Sequence, residues 1–104
     1  MTDTLHLDEF QAYLLTEDRS PVTIAGYLGD VRLFAQWYEK HYADPLTPEG
    51  LTNDAVRGYK QHLLDQPAKP KTINRRLAAL AAYAHWLEQA GYVCNARNPV
   101  QGVK

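Results

Sequence analysis

A chain of 104 residues with 45% hydrophobic and 22% charged side chains has the size and make-up of one ordinary globular domain. It has no apolar run of about 18 residues, which excludes a membrane-spanning helix, and its opening MTDTLHLDEF lacks the charged-then-apolar layout of a secretion signal, so a cytoplasmic protein is expected. A net charge of −1 argues against a uniformly basic nucleic-acid binder, and the single Cys94, with no Cys or His at ligand spacing, offers neither a disulfide nor a metal site.

Residues 1–5 are expected to be frayed, and Leu7, Phe10, Leu14 and Leu15 then space a short amphipathic helix from Leu7 to about Glu17. After the polar break Glu17-Asp18-Arg19, Ser20-Pro21 is a strong helix start, because serine caps and proline suits the first helical position. Ile24, Tyr27, Leu28, Val31, Phe34, Ala35 and Tyr38 carry this second helix to about Tyr42, where Asp44-Pro45 stops it. Pro45, Pro48 and Gly50 make the next stretch a link. Thr52 caps a third helix with Val56, Tyr59 and Leu63 inward, ending near Asp65.

Gln66-Pro67-Ala68 is a connector into the fourth helix, which runs to about Ala90-Gly91. Ile73, Leu77, Leu80, Ala84 and Leu87 form one apolar stripe on it, with Arg75, Ala79, Ala82 and Trp86 roughly opposite. Its many alanines let neighbours approach on more than one side, which makes it the expected centre of the bundle. The tail YVCNARNPVQGVK is expected to hold one short helical turn at most, with Cys94 a small packing residue. No stretch alternates with period two, so the domain is all-α with four main helices.

The charge pattern is uneven. No acidic residue lies between Asp65 and Glu88, while Lys69, Lys71, Arg75 and Arg76 crowd the start of the fourth helix. A helix N-terminus usually attracts Asp or Glu, and basic side chains beside its exposed amides suit a phosphate instead. Thr72 and Asn74 add uncharged donors of the kind that touch DNA backbone and bases. Ser20 and Thr23 offer a second phosphate-facing helix end or simple caps. The competing reading of the basic cluster is a solvated helix end.

Enzymatic chemistry has little support. His6, His41, His62 and His85 are scattered, with no adjacent nucleophile pattern. Gly26 and Gly29 sit inside a helical pattern and are read as allowing close approach by another helix or by a ligand backbone. Tyr27, Tyr38 and Tyr59 share stripes with aliphatic residues and are read as packing rather than base-stacking groups.

The order of these signals resembles the N-terminal core-binding, SAM-like domain of tyrosine recombinases and phage-type integrases. The resemblance spans about Ser20 to Pro99 and rests on SPVTIAGYLGDVRLFAQWY, on Leu51-Thr52 before DAVRGYKQHL, on KTINRRLAALAAYAHWLEQAG and on Asn98-Pro99. It implies a four-to-five-helix orthogonal bundle forming half of a C-shaped clamp on duplex DNA, its second and fourth helices facing the major groove. Carried over by position, the implied DNA contacts are Ser20, Thr23, Lys71, Thr72, Asn74, Arg75 and Arg76, to which the charge pattern adds Lys69. Similar proteins often carry another basic residue just after the position of Leu80, where Ala81 and Ala82 stand here.

The resemblance also implies that strand cleavage belongs to a separate C-terminal domain with a tyrosine nucleophile and Arg, Lys and His partners. The expectation is therefore a single core-binding domain over 1–104, with 95–104 opening a linker to an absent catalytic domain and no catalytic residue in this stretch, Tyr83 and Tyr92 included. Implied partners are double-stranded DNA, the catalytic domain of the same protein and other protomers on DNA, with no cofactor and no membrane. The expectation from another class is a helical protein-interaction or self-association domain docking through exposed aromatics such as Trp37 or Trp86.

Overall fold

Helix starts are written clearly in this chain, and the computed structural model, which describes residues 5–67 and 69–93, places them accordingly. Four helices are present: α1 (Leu7–Thr16), α2 (Pro21–Tyr42), α3 (Asn53–Leu64) and α4 (Pro70–Gln89), with a single 3₁₀ turn at Pro48–Gly50 before α3. Among the described residues there is no strand, and no helix is long and apolar enough to cross a membrane.

Ser20 Oγ accepts the amide of Thr23 at 3.1 Å, and Thr52 Oγ1 accepts that of Ala55 at 3.2 Å, so both side chains close helix starts as their positions predict. Pro21 and Pro70 each occupy the first helical position. Gly91, at φ 86°, ends α4, and the amide of Tyr92 returns to the carbonyl of Leu87 at 3.0 Å.

α4 lies against all three other helices, most extensively against α2. This is the central seat expected from its alanines, and it widens the buried surface beyond the single apolar stripe. Ala79, Tyr83 and Trp86 are buried along with Ile73, Leu77, Leu80, Ala84 and Leu87. Phe10 of α1 packs edge-on to Tyr83 at 5.2 Å and beside Trp86 at 5.5 Å. At the other end, Phe34 meets Tyr59 edge-on at 5.1 Å. Each fully buried aromatic or aliphatic side chain contributes about 1.5–3 kcal/mol through removal from water.

The link between α2 and α3 is more than a turn, since Leu46 and Leu51 are both buried in the core. Gly50 leaves room there for the Tyr38 ring, whose hydroxyl would stand 2.8 Å from a Cβ and would have to shift. Of the two readings of Gly26 and Gly29, the close helix approach is not used: a Cβ at either meets nothing within 4 Å among the described residues.

The two edges of the described chain meet. The Tyr83 hydroxyl donates to the Leu5 carbonyl at 2.6 Å, Tyr92 stacks on His6 at 3.8 Å, and the Tyr92 hydroxyl donates to Glu9. The expectations for Ala68, Cys94, Asn98-Pro99 and the linker from 95 lie outside the described residues, as do residues 1–4.

Candidate nucleic-acid interface

The start of α4 combines an open helix end with a concentration of donors. Lys69 occupies the N-cap position without a side-chain cap, and the first turn carries no acidic residue. Pro70 has no amide to offer, and Lys69 already receives the amide of Ile73 at 3.1 Å. The amides of Lys71 and Thr72 therefore stand at an uncapped end. Lys69, Lys71 and Asn74 are exposed, Thr72 is half-buried, and no carboxylate pairs with either lysine among the described residues.

The two arginines diverge. Arg75 turns toward α2, where its Nη2 donates to Asp30 Oδ1 at 3.1 Å. The Asp30 side chain is 3% exposed and that of Arg75 57%, so the carboxylate is the buried partner and the guanidinium keeps donors facing water. Arg76 turns toward α3 and is half-buried, with its Nε enclosed. The Tyr59 hydroxyl lies beside it. Burial pushes that hydroxyl above the ordinary tyrosine range; the nearby Arg76 opposes the shift and Asp30 adds to it. No well-formed hydrogen bond joins Tyr59 and Arg76, and Tyr59 Oη, Arg76 Nε and Asp30 Oδ2 are all buried without a partner.

Asp30 is the residue that sequence reasoning missed. Along the chain the basic cluster has no acidic neighbour, but the fold supplies one from 45 residues away. Its signal was a carboxylate on the buried face of α2, between Tyr27 and Phe34 at helical spacing.

Ser20 and Thr23 are not brought together with this cluster. They bond each other, Ser20 Oγ donating to Thr23 Oγ1 at 2.9 Å, as a capping pair. Thr23 is seven residues from Asp30, about 10 Å of helix. Arg19 lines a cavity with Ala81, Ala82 and His85, whereas Asp30 meets Arg75, so α2 and α4 run antiparallel. That cavity is lined by Arg19, Glu17 and His85 beside Ala81 and Ala82, so the one fixed cation there faces a carboxylate and does not replace the basic residue absent from α4. Trp86, expected as an exposed aromatic, is buried among Phe10, Tyr13 and Tyr83 because α1 covers it. Trp37 is half-buried, lying against Phe34, Tyr59 and Gly58.

Residues 7–91 match the phage integrase N-terminal SAM-like domain. The chain belongs to this family. It is 31% identical over 96 residues to tyrosine recombinase XerC of Oceanobacillus iheyensis, covering 86% of this chain and 29% of that protein. It is 29% identical over 84 residues to TnP I resolvase of Bacillus thuringiensis, covering 80% of this chain and 29% of the relative. The chain thus spans less than a third of the length of these curated relatives. No solved structure gives a significant match. The family description places the matched domain at the N-terminus of phage integrases.

Proposed function

We propose that this domain positions a site-specific tyrosine recombinase on duplex DNA, gripping backbone phosphates with the first turns of α4. The observation that carries this reading is the uncapped, acid-free start of α4, with Lys69, Lys71, Thr72 and Asn74 presented together. Partial positive charge at a helix start, unpaired amides and flexible ammonium groups together favour a phosphate over any neutral partner. Asp30 orients Arg75 along this lip, leaving the outer guanidinium nitrogens for a phosphate or a base edge. In this reading strand cleavage belongs to a catalytic domain of the same protein, and other protomers share the DNA. The relatives are named as a recombinase and a resolvase, which favours DNA as the partner.

The experiment is a duplex titration at several salt concentrations, followed by fluorescence anisotropy. If about four phosphates are neutralised, log K falls against log salt with a slope of about −3.6, and half a clamp is expected to bind at micromolar affinity or weaker. Lys69→Ala with Lys71→Ala should flatten that slope by about 1.8. Both lysines are exposed, so a salt-independent affinity, or one untouched by the double substitution, overturns the electrostatic account.

A further inference from the structure

Behind the lip, α2, α3 and the start of α4 enclose a groove of about 230 Å³ that none of the sequence signals pointed to. Lys40 and Trp37 line it from α2, Tyr59 and His62 from α3, and Arg76 from α4; no Asp or Glu is among its lining residues. Two of these residues carry buried donors with no partner, the Tyr59 hydroxyl and Arg76 Nε, and the buried Asp30 Oδ2, near enough to act on Tyr59, is an unpartnered acceptor. Tyr59 as a whole is only 2% exposed. A buried donor left without an acceptor is unfavourable, and folded proteins rarely leave two side by side unless something occupies the space.

We propose that this groove binds a phosphate group, held by the Lys40 ammonium, the Arg76 guanidinium, the His62 imidazole and the Tyr59 hydroxyl. The chemistry of the lining selects the ligand. All four groups can donate, two are cationic, and a tetrahedral oxyanion offers acceptors in several directions at once. The Tyr59 hydroxyl, like any tyrosine, is protonated at neutral pH and so available as a donor. The ring of Trp37, stacked on His41 at 4.7 Å and packed over Gly58, forms a rigid wall that fixes the groove's width.

The phosphate has two sources. One is a backbone phosphodiester of duplex DNA, in which case the inference rests on the DNA reading above and extends the grip from α4 to Lys40 and His62. The other is a free phosphoryl group. The competing occupant is a single internal water joining Asp30 Oδ2, Tyr59 Oη and Arg76 Nε, which predicts no response to phosphate.

The test is amide NMR on the 104-residue chain, titrated separately with inorganic phosphate and with a DNA duplex, chloride serving as the ionic-strength control. Phosphate-specific shifts are expected around residues 37–40, 59–62 and 76, weakened about threefold or more by Tyr59→Phe and by Lys40→Ala. Tyr59→Phe removes only an unpartnered hydroxyl, so the variant should fold normally while losing the rise in melting temperature that phosphate gives the parent chain. A duplex that shifts the same residues, with the salt slope reduced by about 0.9 in Lys40→Ala, identifies DNA as the source. Phosphate shifts in the groove without any duplex response support the groove and overturn the DNA reading; a duplex response confined to residues 69–75 overturns DNA as the groove's ligand. Absence of phosphate-specific shifts, or shifts that survive both substitutions, overturns the proposal in favour of water.

Discussion

Replacing Arg75 by Ala should destabilise the fold more than replacing Asp30 by Asn, although both substitutions break the same ion pair. The asymmetry follows from burial: the Asp30 side chain is 3% exposed, that of Arg75 57%. Without Arg75, a carboxylate remains inside the protein with Oδ1 unpaired as Oδ2 already is. Without the Asp30 charge, the guanidinium simply turns to water. Removing one partner of a buried pair costs about 3–5 kcal/mol, and the open side of this pair puts Arg75→Ala near the lower end, about 3 kcal/mol. Asp30→Asn retains an oxygen for Arg75 and relieves the burial of a charge, for a net loss of about 1 kcal/mol. The difference of about 2 kcal/mol corresponds to roughly 10 °C in melting temperature for a domain of this size. Urea unfolding of both variants at neutral pH measures it directly. Equal losses, or a greater loss for Asp30→Asn, would refute the view that the carboxylate is the partner stranded by the loss.

Gly26→Ala and Gly29→Ala should each raise stability by about 0.8–1 kcal/mol, since both sit in the interior of α2 with open space where a Cβ would go. Gly58→Ala should gain less in the same thermal melts, because its Cβ would stand 3.1 Å from the indole of Trp37. Alkaline titration probes the third helix. Burial raises the Tyr59 hydroxyl above the ordinary value of 10.0, against the pull of Arg76. A raised folded-state pKa contributes stability that is complete below the unfolded value and lost as pH climbs through the folded one. Stability should therefore fall above about pH 10, and less steeply in Tyr59→Phe; an identical decline in the two proteins would locate the effect elsewhere.

Local signals carried most of the fold into the sequence. Ser20-Pro21 and Thr52 mark helix starts by chemistry confined to a few residues, and the structure uses their oxygens as caps. The stripe from Ile73 to Leu87 placed α4 in the core and its alanines implied neighbours on several sides, but the stripe alone left Trp86 on the opposite face, where it was read as exposed although α1 covers it. Leu46 and Leu51 were hidden because buried link residues have no period. For the site, the open start of α4 was legible as a run of basic residues without acids. What was not legible depends on distance along the chain: Asp30 reaching Arg75, and Lys40, Tyr59 and His62 gathering around Arg76. No spacing rule links residues on three helices whose arrangement is set by packing.

The meeting of Tyr92 with His6 and Glu9 has a consequence for how this domain feels its surroundings. α4 is 20 residues long, about 30 Å, so its two ends lie at opposite poles of the bundle. The Debye length at physiological ionic strength is about 8 Å, which leaves several screening lengths between the lip at Lys71 and the pole where Tyr92 is tied to α1. Charges introduced at the Tyr92 pole are electrostatically silent at the lip. A dye, tag or charged segment anchored there should therefore leave any salt-dependent binding at the start of α4 unchanged, which makes that pole the place to attach a reporter.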